Sequence, residues 1–187
     1  MSSIGPIDKN GSSNSDSRVQ KIRQIVRRGI AAKRSRILSE TTLLIFGPAK
    51  GKEGYSYREE LRRQVGLFGC HADYAEDILR SKENVLVAEE ILAKQYNLIF
   101  VVLKGMGTVA EISSYLRIAN LAPKFRIFQE ANDRESPSLV NEVIQPFCQM
   151  YHGYCSTFSS NFELKEAAAK AIEEFVLYAL TYGYKPS

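Results

Sequence analysis

From residue 41 onward, short apolar runs alternate with longer amphipathic stretches. Residues 41–46 form an almost continuous apolar run that ends at Gly47-Pro48, and residues 97–103 form a stronger one that ends at Lys104-Gly105. Apolar runs of this length, bounded by glycine or proline, are typical of parallel strands that are buried on both faces. Weaker runs near 69–73, 124–129 and 154–158 complete a set of five predicted strands.

Helical spacing fills the segments between these strands. The predicted helices cover residues 56–67, 84–96, 108–121, 136–151 and 162–182. In the first of them, Ser56 and Glu59 have the spacing of a capping box, which predicts that this helix begins at Ser56. Strands that alternate with helices of ten or more residues predict an α/β fold. We expect three layers, with a five-stranded parallel sheet covered by helices on both faces.

The first 40 residues follow another pattern. Residues 1–15 are rich in Ser, Asn, Gly and Asp, and we expect them to be disordered. Residues 16–40 combine apolar positions at spacings of three and four with many basic residues, which predicts a basic amphipathic helix. The apolar positions are Val19, Ile22, Val26 and Ile30. The chain is thus expected to have a tail at 1–15, this helix at 16–40 and an α/β domain at 41–187.

Charge separates the N-terminal arm from the domain. Residues 1–40 hold nine of the 25 basic residues and three of the 21 acidic ones, so the rest of the chain has a net charge of −2. The overall charge of +4 is therefore poor support for nucleic-acid binding by the domain. For the arm, three partners stay open: the domain or a second subunit, a phosphate-rich partner such as nucleic acid, and an anionic membrane surface. We also expect a homo-oligomer.

Composition narrows the class of protein. The chain is 44% hydrophobic and 25% charged, which is ordinary for a soluble globular protein. No apolar run approaches the roughly 18 residues that would span a bilayer, and residues 1–6 lack the features of a secretory signal. Three cysteines and two histidines make neither a disulfide framework nor a zinc pattern. We expect a cytoplasmic protein that needs no metal and no cofactor.

Two glycine-containing loops follow the two strongest predicted strands. In an open parallel sheet, ligands bind beyond the carboxyl ends of the strands, near the point where the strand order reverses. The first such loop contains Gly47, Pro48, Lys50 and Tyr55. A basic, glycine-containing loop suits a phosphate-bearing ligand, and a solvated surface loop is the equally weighted alternative. The spacing of this loop is not that of a Walker A motif.

The second loop covers residues 104–111 and ends in a carboxylate. Its glycines, Gly105 and Gly107, allow close approach of a ligand, and the helix predicted to start at Thr108 offers backbone amides to phosphate or ribose oxygens. Glu111 falls in the first turn of that helix, where a carboxylate can stabilise an oxocarbenium ion or attack a sugar carbon. The alternative is a capping box formed by Thr108 and Glu111.

These loop residues carry a resemblance to known families. An apolar strand followed by G-x-G-T-x-x-E, at residues 98–111, resembles the corresponding segment of nucleoside 2-deoxyribosyltransferase-like proteins, and residues 44–48 resemble their first strand. The chain order is similar to that of TIR domains, and the G-x-G-T-x-x-E segment is similar to that of LOG-like phosphoribohydrolases, whose second, arginine-containing signature is missing here. The resemblance covers roughly residues 41–130.

All three families cleave or exchange an N-glycosidic bond to a ribose or deoxyribose. The resemblance therefore implies that a nucleotide, nucleoside or NAD-like molecule is the substrate and that Glu111 is the nucleophile or the cation-stabilising carboxylate. Lys104, Gly105 and Met106 stand where deoxyribosyltransferases usually have an aspartate, which favours hydrolysis over base exchange and suggests a substrate phosphate near Lys104. A non-catalytic nucleotide-sensing or scaffold domain, with the arm used for assembly or nucleic-acid contact, is the alternative.

A small acidic cluster, formed by Asp73, Glu76 and Asp77, follows the second predicted strand. Its carboxylates can hold ribose hydroxyls or assist the departing base as a general acid, while helix capping and solvation are the alternative roles. Asp77 represents this group among the candidate residues. The candidate binding residues are Gly47, Pro48, Lys50, Tyr55, Asp77, Lys104, Gly105, Gly107 and Thr108, and the candidate catalytic residue is Glu111.

Overall fold

A computed structural model describes most of the chain. The described residues are 12–79, 85–104, 108, 112–116, 118, 120–131, 142, 144–150 and 154–183. The chain divides into two compact units, one ending at Arg36 and the other starting at Ile37.

Within the described residues, five strands of the second unit form one parallel sheet. The strands are β1 (Thr42–Phe46), β2 (His71–Tyr74), β3 (Leu98–Leu103), β4 (Phe125–Glu130) and β5 (Tyr154–Phe158). Their order across the sheet is β2-β1-β3-β4-β5, so β1, β3 and β4 are interior strands. The predicted three-layer α/β class with a five-stranded parallel sheet is confirmed.

Helices cover both faces of this sheet. They are α2 (Tyr55–Leu67), α3 (Ala75–Ile78), α4 (Val85–Gln95), α5 (Gln145–Met150) and α6 (Asn161–Tyr182), with a further helical stretch at residues 112–115 and a 3-10 turn at Ala122–Lys124. The first unit consists, in its described part, of the N-terminal portion of helix α1 (Ser12–Glu40). None of the described helices is long and apolar enough to cross a membrane.

The two faces of β3 supply two separate hydrophobic cores. Phe100 and Val102 pack in the core with α2 and α6, while Ile99, Val101 and Leu103 pack in the core with α4 and residues 112–116. All six residues of β3 are buried, because successive side chains of a strand point to opposite faces and both faces are covered. This is the reason for its continuous apolar run. The apolar face predicted for the last helix, α6, is likewise buried.

Several boundaries differ from the prediction. Helix α2 begins at Tyr55, after Gly54 in a left-handed conformation (φ 84°), and no side chain caps it; the capping box predicted from Ser56 was therefore wrong. Helix α1 begins at Ser12, four residues before the predicted start at Asp16. The helix predicted to run to Leu121 gives way to a turn at residue 116. The predicted start of a helix at residue 136 lies outside the described residues.

Candidate functional site

The carboxyl ends of β1 and β3 lie side by side at the middle of the sheet. The chain runs from β1 outward to β2 and then crosses back to β3 on the other side of β1, so the strand order reverses between β1 and β3. Phe46, the last residue of β1, pairs with Val101, and β3 continues to Leu103. The loops that follow these two strands therefore flank the crevice in which doubly wound α/β proteins bind ligands.

Glycine allows the loop after β1 (residues 47–54, called the β1 loop) to approach β3 closely. Gly47 has φ 142°, and a Cβ atom there would lie 3.0 Å from the Val102 carbonyl oxygen. At Gly54, a Cβ atom would lie 3.2 Å from Cγ atoms of both Pro48 and Lys104. A larger residue at Gly47 or Gly54 would be strained by the backbone conformation and too close to its neighbours. Glycine at these two positions therefore lets the loop pack directly against Lys104, the residue that follows β3. The structure thus brings together the sequence candidates Gly47, Pro48 and Lys104.

Arg58 binds the backbone at the start of the β1 loop. Its side chain is 1% exposed, and its guanidinium donates hydrogen bonds to the carbonyl oxygens of Pro48 (2.8 Å), Ile45 (3.2 Å) and Gly47 (3.3 Å). It also pairs with the Glu76 carboxylate, which follows β2, at 2.7 Å. A charge buried this deeply requires such partners. Arg58 therefore fixes the backbone of the loop, and its position in an amphipathic helix gave no signal of this role.

A group of hydrogen-bonded side chains lies at the ends of β3 and β4. The Lys104 ammonium is 2.6 Å from Glu130 and 3.1 Å from Glu53, and the Tyr57 hydroxyl donates to Glu130 at 2.8 Å. The hydrogen bond from Lys104 holds the pKa of Glu130 below its usual range, although burial opposes it. The hydrogen bond to Glu130 raises the pKa of Tyr57. At neutral pH, Glu130 is therefore a carboxylate and Tyr57 a neutral hydroxyl group.

This group changes the role expected of Lys104. The sequence suggested that its ammonium meets a substrate phosphate, whereas in the structure it lies between the carboxylates of Glu130 and Glu53. Sequence reasoning did not single out Glu130 or Tyr57 as site residues. A carboxylate at the end of an apolar strand was an available signal for Glu130, because side chains at that position reach the ligand crevice.

The loop after β3 is described only in part. Thr108 is helical and half-buried, and its hydroxyl donates to the Lys104 carbonyl oxygen at 3.2 Å. This hydrogen bond joins the two ends of the segment between them. The candidate residues Gly105, Gly107 and Glu111 lie outside the described residues, so their roles stay predictions.

The remaining candidates lie around the first loop and β2. Lys50 is exposed, and Tyr55 is half-buried with its ring centroid 6.2 Å from that of Tyr74. Asp77 is exposed on α3, next to the edge strand and not next to the crevice strands. An open depression of about 350 Å³ adjoins this region, lined by Tyr55, Glu59, Arg62, Arg63 and Tyr74.

The Cys70 thiol is buried and free. Burial raises the pKa of the Cys70 thiol to about 11, so the nucleophilic thiolate is scarce at neutral pH. Among the described residues, no group of three or more His, Cys, Asp or Glu side chains is placed to hold a metal ion.

Comparison with known proteins yields the fold class. No protein-family model and no curated protein matches the chain. Among solved structures, a diflavin flavoprotein A3 from Nostoc sp. is 11% identical, with a TM-score of 0.53 over 77% of this chain and 98% of that one. A putative α/β-superfamily hydrolase from Xanthomonas campestris pv. campestris is 9% identical, with a TM-score of 0.48 over 73% and 99%.

A third similar structure is the CMP N-glycosidase BcmB from Clostridium botulinum. It is 13% identical, with a TM-score of 0.44 over 72% of this chain and 98% of that one. Identities this low show the fold alone. The strand order β2-β1-β3-β4-β5 is that of a doubly wound parallel α/β sheet, and the flavoprotein with a TM-score of 0.53 has a similar fold.

Proposed function

We propose that this protein cleaves, or transfers, the N-glycosidic bond of a nucleotide, nucleoside or NAD-like substrate. The observation that carries the proposal is the close approach of the β1 loop to the residue after β3, with Gly47 and Gly54 at the contacts. The first loop therefore meets the end of β3 at the point where the strand order reverses, which is where doubly wound α/β proteins bind ligands, and the chain continues from there toward Glu111. We infer that Glu111 is the carboxylate that meets the sugar.

In hydrolysis, the bond between the anomeric carbon and the base nitrogen breaks, and its electron pair leaves with the base. Water supplies the hydroxyl group on the anomeric carbon, and its proton goes to the base. As the bond breaks, positive charge develops on the sugar ring, which a nearby carboxylate stabilises. In this proposal Glu111 provides that carboxylate, either through its charge or as a nucleophile. With transfer, a second base takes the place of water.

The hydrogen-bonded group at Glu130 suits the sugar better than the phosphate. The Glu130 carboxylate can accept hydrogen bonds from ribose hydroxyl groups, and the Tyr57 oxygen, whose O–H already donates to Glu130, can accept another; both side chains already have fixed positions. Lys104 is engaged with carboxylates, so a substrate phosphate would instead meet the exposed Lys50 and Lys52 of the first loop.

The direct test is to incubate the full chain with a panel of nucleosides, the matching nucleotides including CMP, and NAD. Release of free base is followed by chromatography. We expect Glu111→Gln to lower the rate at least about a thousandfold, which is roughly 4 kcal/mol of transition-state stabilisation. Loss of a helix cap alone would cost only about 1 kcal/mol of stability.

The matched control is Glu166→Gln, an exposed glutamate on α6, which should keep the wild-type rate. Unchanged melting temperature in both variants separates catalysis from folding. A Glu111→Gln protein that releases base at the wild-type rate would refute the assignment of Glu111.

The second candidate is a non-catalytic nucleotide-sensing or scaffold domain. It is favoured by the mutual pairing of Lys104, Glu130 and Tyr57, because charged groups that satisfy one another are also typical of a purely structural site. Calorimetric titration distinguishes the two candidates: tight binding of a nucleotide without release of base supports the sensor. FMN belongs in the same titration, since the similar fold of a diflavin flavoprotein makes it a candidate occupant.

A further inference from the structure

Helix α1 exposes a continuous apolar stripe. Five of its large apolar side chains are between 45% and 69% exposed: Val19, Ile22, Ile25, Val26 and Ile30. Four of these residues repeat at spacings of three, four and four, so they lie on one face of a helix with 3.6 residues per turn. A stripe of this length on a soluble surface indicates a contact with an apolar phase or an apolar partner.

The basic residues of α1 border this stripe. Between residues 17 and 36 there are eight basic residues and no acidic one. On a helical projection, Arg23 and Arg27 lie along one edge of the stripe and Arg18 along the other, and all three are exposed. The side opposite the stripe carries Lys21 and Arg28 together with uncharged residues, among them Gln20 and Gln24. Basic residues therefore flank the apolar stripe and also occupy the polar side of the helix.

This arrangement discriminates among partners. A second copy of α1 would bring eight positive charges against eight, which opposes self-association. Nucleic acid would attract the arginines but leave the Val/Ile stripe in water, and no aromatic residue on the helix is available for base stacking. An anionic bilayer satisfies both features: the stripe enters the boundary between headgroups and acyl chains, and the flanking arginines extend to the lipid phosphates.

We propose that α1 binds the surface of an anionic membrane, with its axis in the plane of the interface and its Val/Ile stripe turned toward the lipid. This role is independent of the reaction of the α/β domain. The helix lies on the bilayer and does not cross it.

Co-sedimentation of the full chain with vesicles tests the proposal. Vesicles of phosphatidylcholine mixed in equal amounts with phosphatidylglycerol should bind the protein, and vesicles of phosphatidylcholine alone should bind it at least about tenfold more weakly, since each Lys or Arg near an anionic surface contributes about 1 kcal/mol. Equal binding to both compositions would overturn the electrostatic part of the proposal.

Two double variants separate lipid insertion from simple charge attraction. Ile22→Asp/Val26→Asp places two aspartates in the stripe. Gln20→Asp/Gln24→Asp places two aspartates outside the stripe, so the two variants change the net charge equally. Insertion predicts that the stripe variant loses at least about tenfold more vesicle binding than its control. Circular dichroism confirms that both remain helical to the same extent.

Three results would overturn the proposal. One is an equal loss of vesicle binding in both variants. Another is tighter binding to a DNA or RNA duplex than to the mixed vesicles at physiological salt, which would identify a nucleic-acid arm. The third is a dimer in light scattering that the stripe variant abolishes, together with no vesicle binding by the wild type, which would identify a subunit contact.

Discussion

Basic side chains have contrasting surroundings in the two units of this chain. In the α/β domain, Arg58 is buried against three carbonyl oxygens and Glu76, and Lys104 lies between two carboxylates. On α1, Arg23 and Arg27 are exposed on a helix that has no acidic residue nearby in sequence. In the domain, these cations bind backbone carbonyl oxygens and carboxylates of neighbouring elements, whereas on α1 the two arginines are exposed. Net charge alone does not distinguish these two uses.

Removing residues 37–40 together with the first unit should have the largest effect on the stability of the domain. Ile37 and Leu38 are each only 8% exposed and belong to the core that packs against α2 and α6. A protein of residues 37–187 should therefore melt cooperatively near the temperature of the full chain. A protein of residues 41–187 should lose roughly 3–6 kcal/mol, because each buried Leu or Ile contributes about 1.5–3 kcal/mol.

Denaturant melts of the two truncated proteins measure this difference. Equal stability of both would show that Ile37 and Leu38 contribute nothing to the domain. A large loss of stability on removing residues 1–36 alone would contradict this expectation and show that the first 36 residues stabilise the domain.

Replacing a buried arginine of the domain should cost far more stability than replacing an exposed arginine of α1. Arg58→Met leaves Glu76 without its partner and three carbonyl oxygens without a donor, and should cost about 3–5 kcal/mol, toward the lower end because Glu76 is half-exposed. Arg27→Met on α1 should change stability by no more than about 0.5 kcal/mol while weakening vesicle binding.

Chemical denaturation followed by circular dichroism measures both variants. Arg63→Met is a further control on α2 itself: the Arg63 side chain is 57% exposed and pairs with Glu60, so the loss should stay below about 1 kcal/mol. A loss as large as that of Arg58→Met would mean that burial is not what makes Arg58 important.

A smaller effect concerns the pH dependence of the domain. The hydrogen bond from Lys104 lowers the pKa of Glu130 in the folded state, so this pair stabilises the fold above the pKa of an unfolded glutamate, about 4.3. The contribution should be lost as the pH falls below that value and through the lower pKa of the folded state. We expect Glu130→Gln to cost roughly 1.5–3 kcal/mol at pH 7 and less at pH 3.

Stability measured from pH 7 down to pH 3 in parallel for wild type and Glu130→Gln tests this sign. The two curves should converge toward low pH. Curves that stay parallel over this range would show that the charge of Glu130 does not contribute to stability.

The same capping pattern has different outcomes in two places. Ser160 and Glu163 have capping-box spacing, and Ser160 accepts a hydrogen bond from the Glu163 amide at 3.3 Å as the cap of α6. Ser56 and Glu59 have the same spacing, but α2 begins one residue earlier, after Gly54. The contact of the β1 loop with Lys104 requires a left-handed residue at Gly54, and that contact is not visible in a four-residue pattern.

Local pattern was sufficient for the strands and for most of the helices. Continuous apolar runs predicted β1 and β3 because both faces of an interior parallel strand are covered, and the buried positions of α6 repeat with the helical period. These features depend on residues that are close in sequence. That the loop after β1 lies next to Lys104 follows instead from the pairing of β1 with β3, which no local pattern records.

Only the tertiary structure decided how the charged side chains of the crevice are used. Lys104 and Glu130 are 26 residues apart and meet because β3 and β4 are adjacent and parallel, and Arg58 is buried because the ends of β1 and β2 converge on it. A sequence pattern records that a residue is charged but not which carboxylate or carbonyl oxygen lies opposite to it. The strand order sets those partners, and with them the separation of structural cations in the domain from exposed cations on α1.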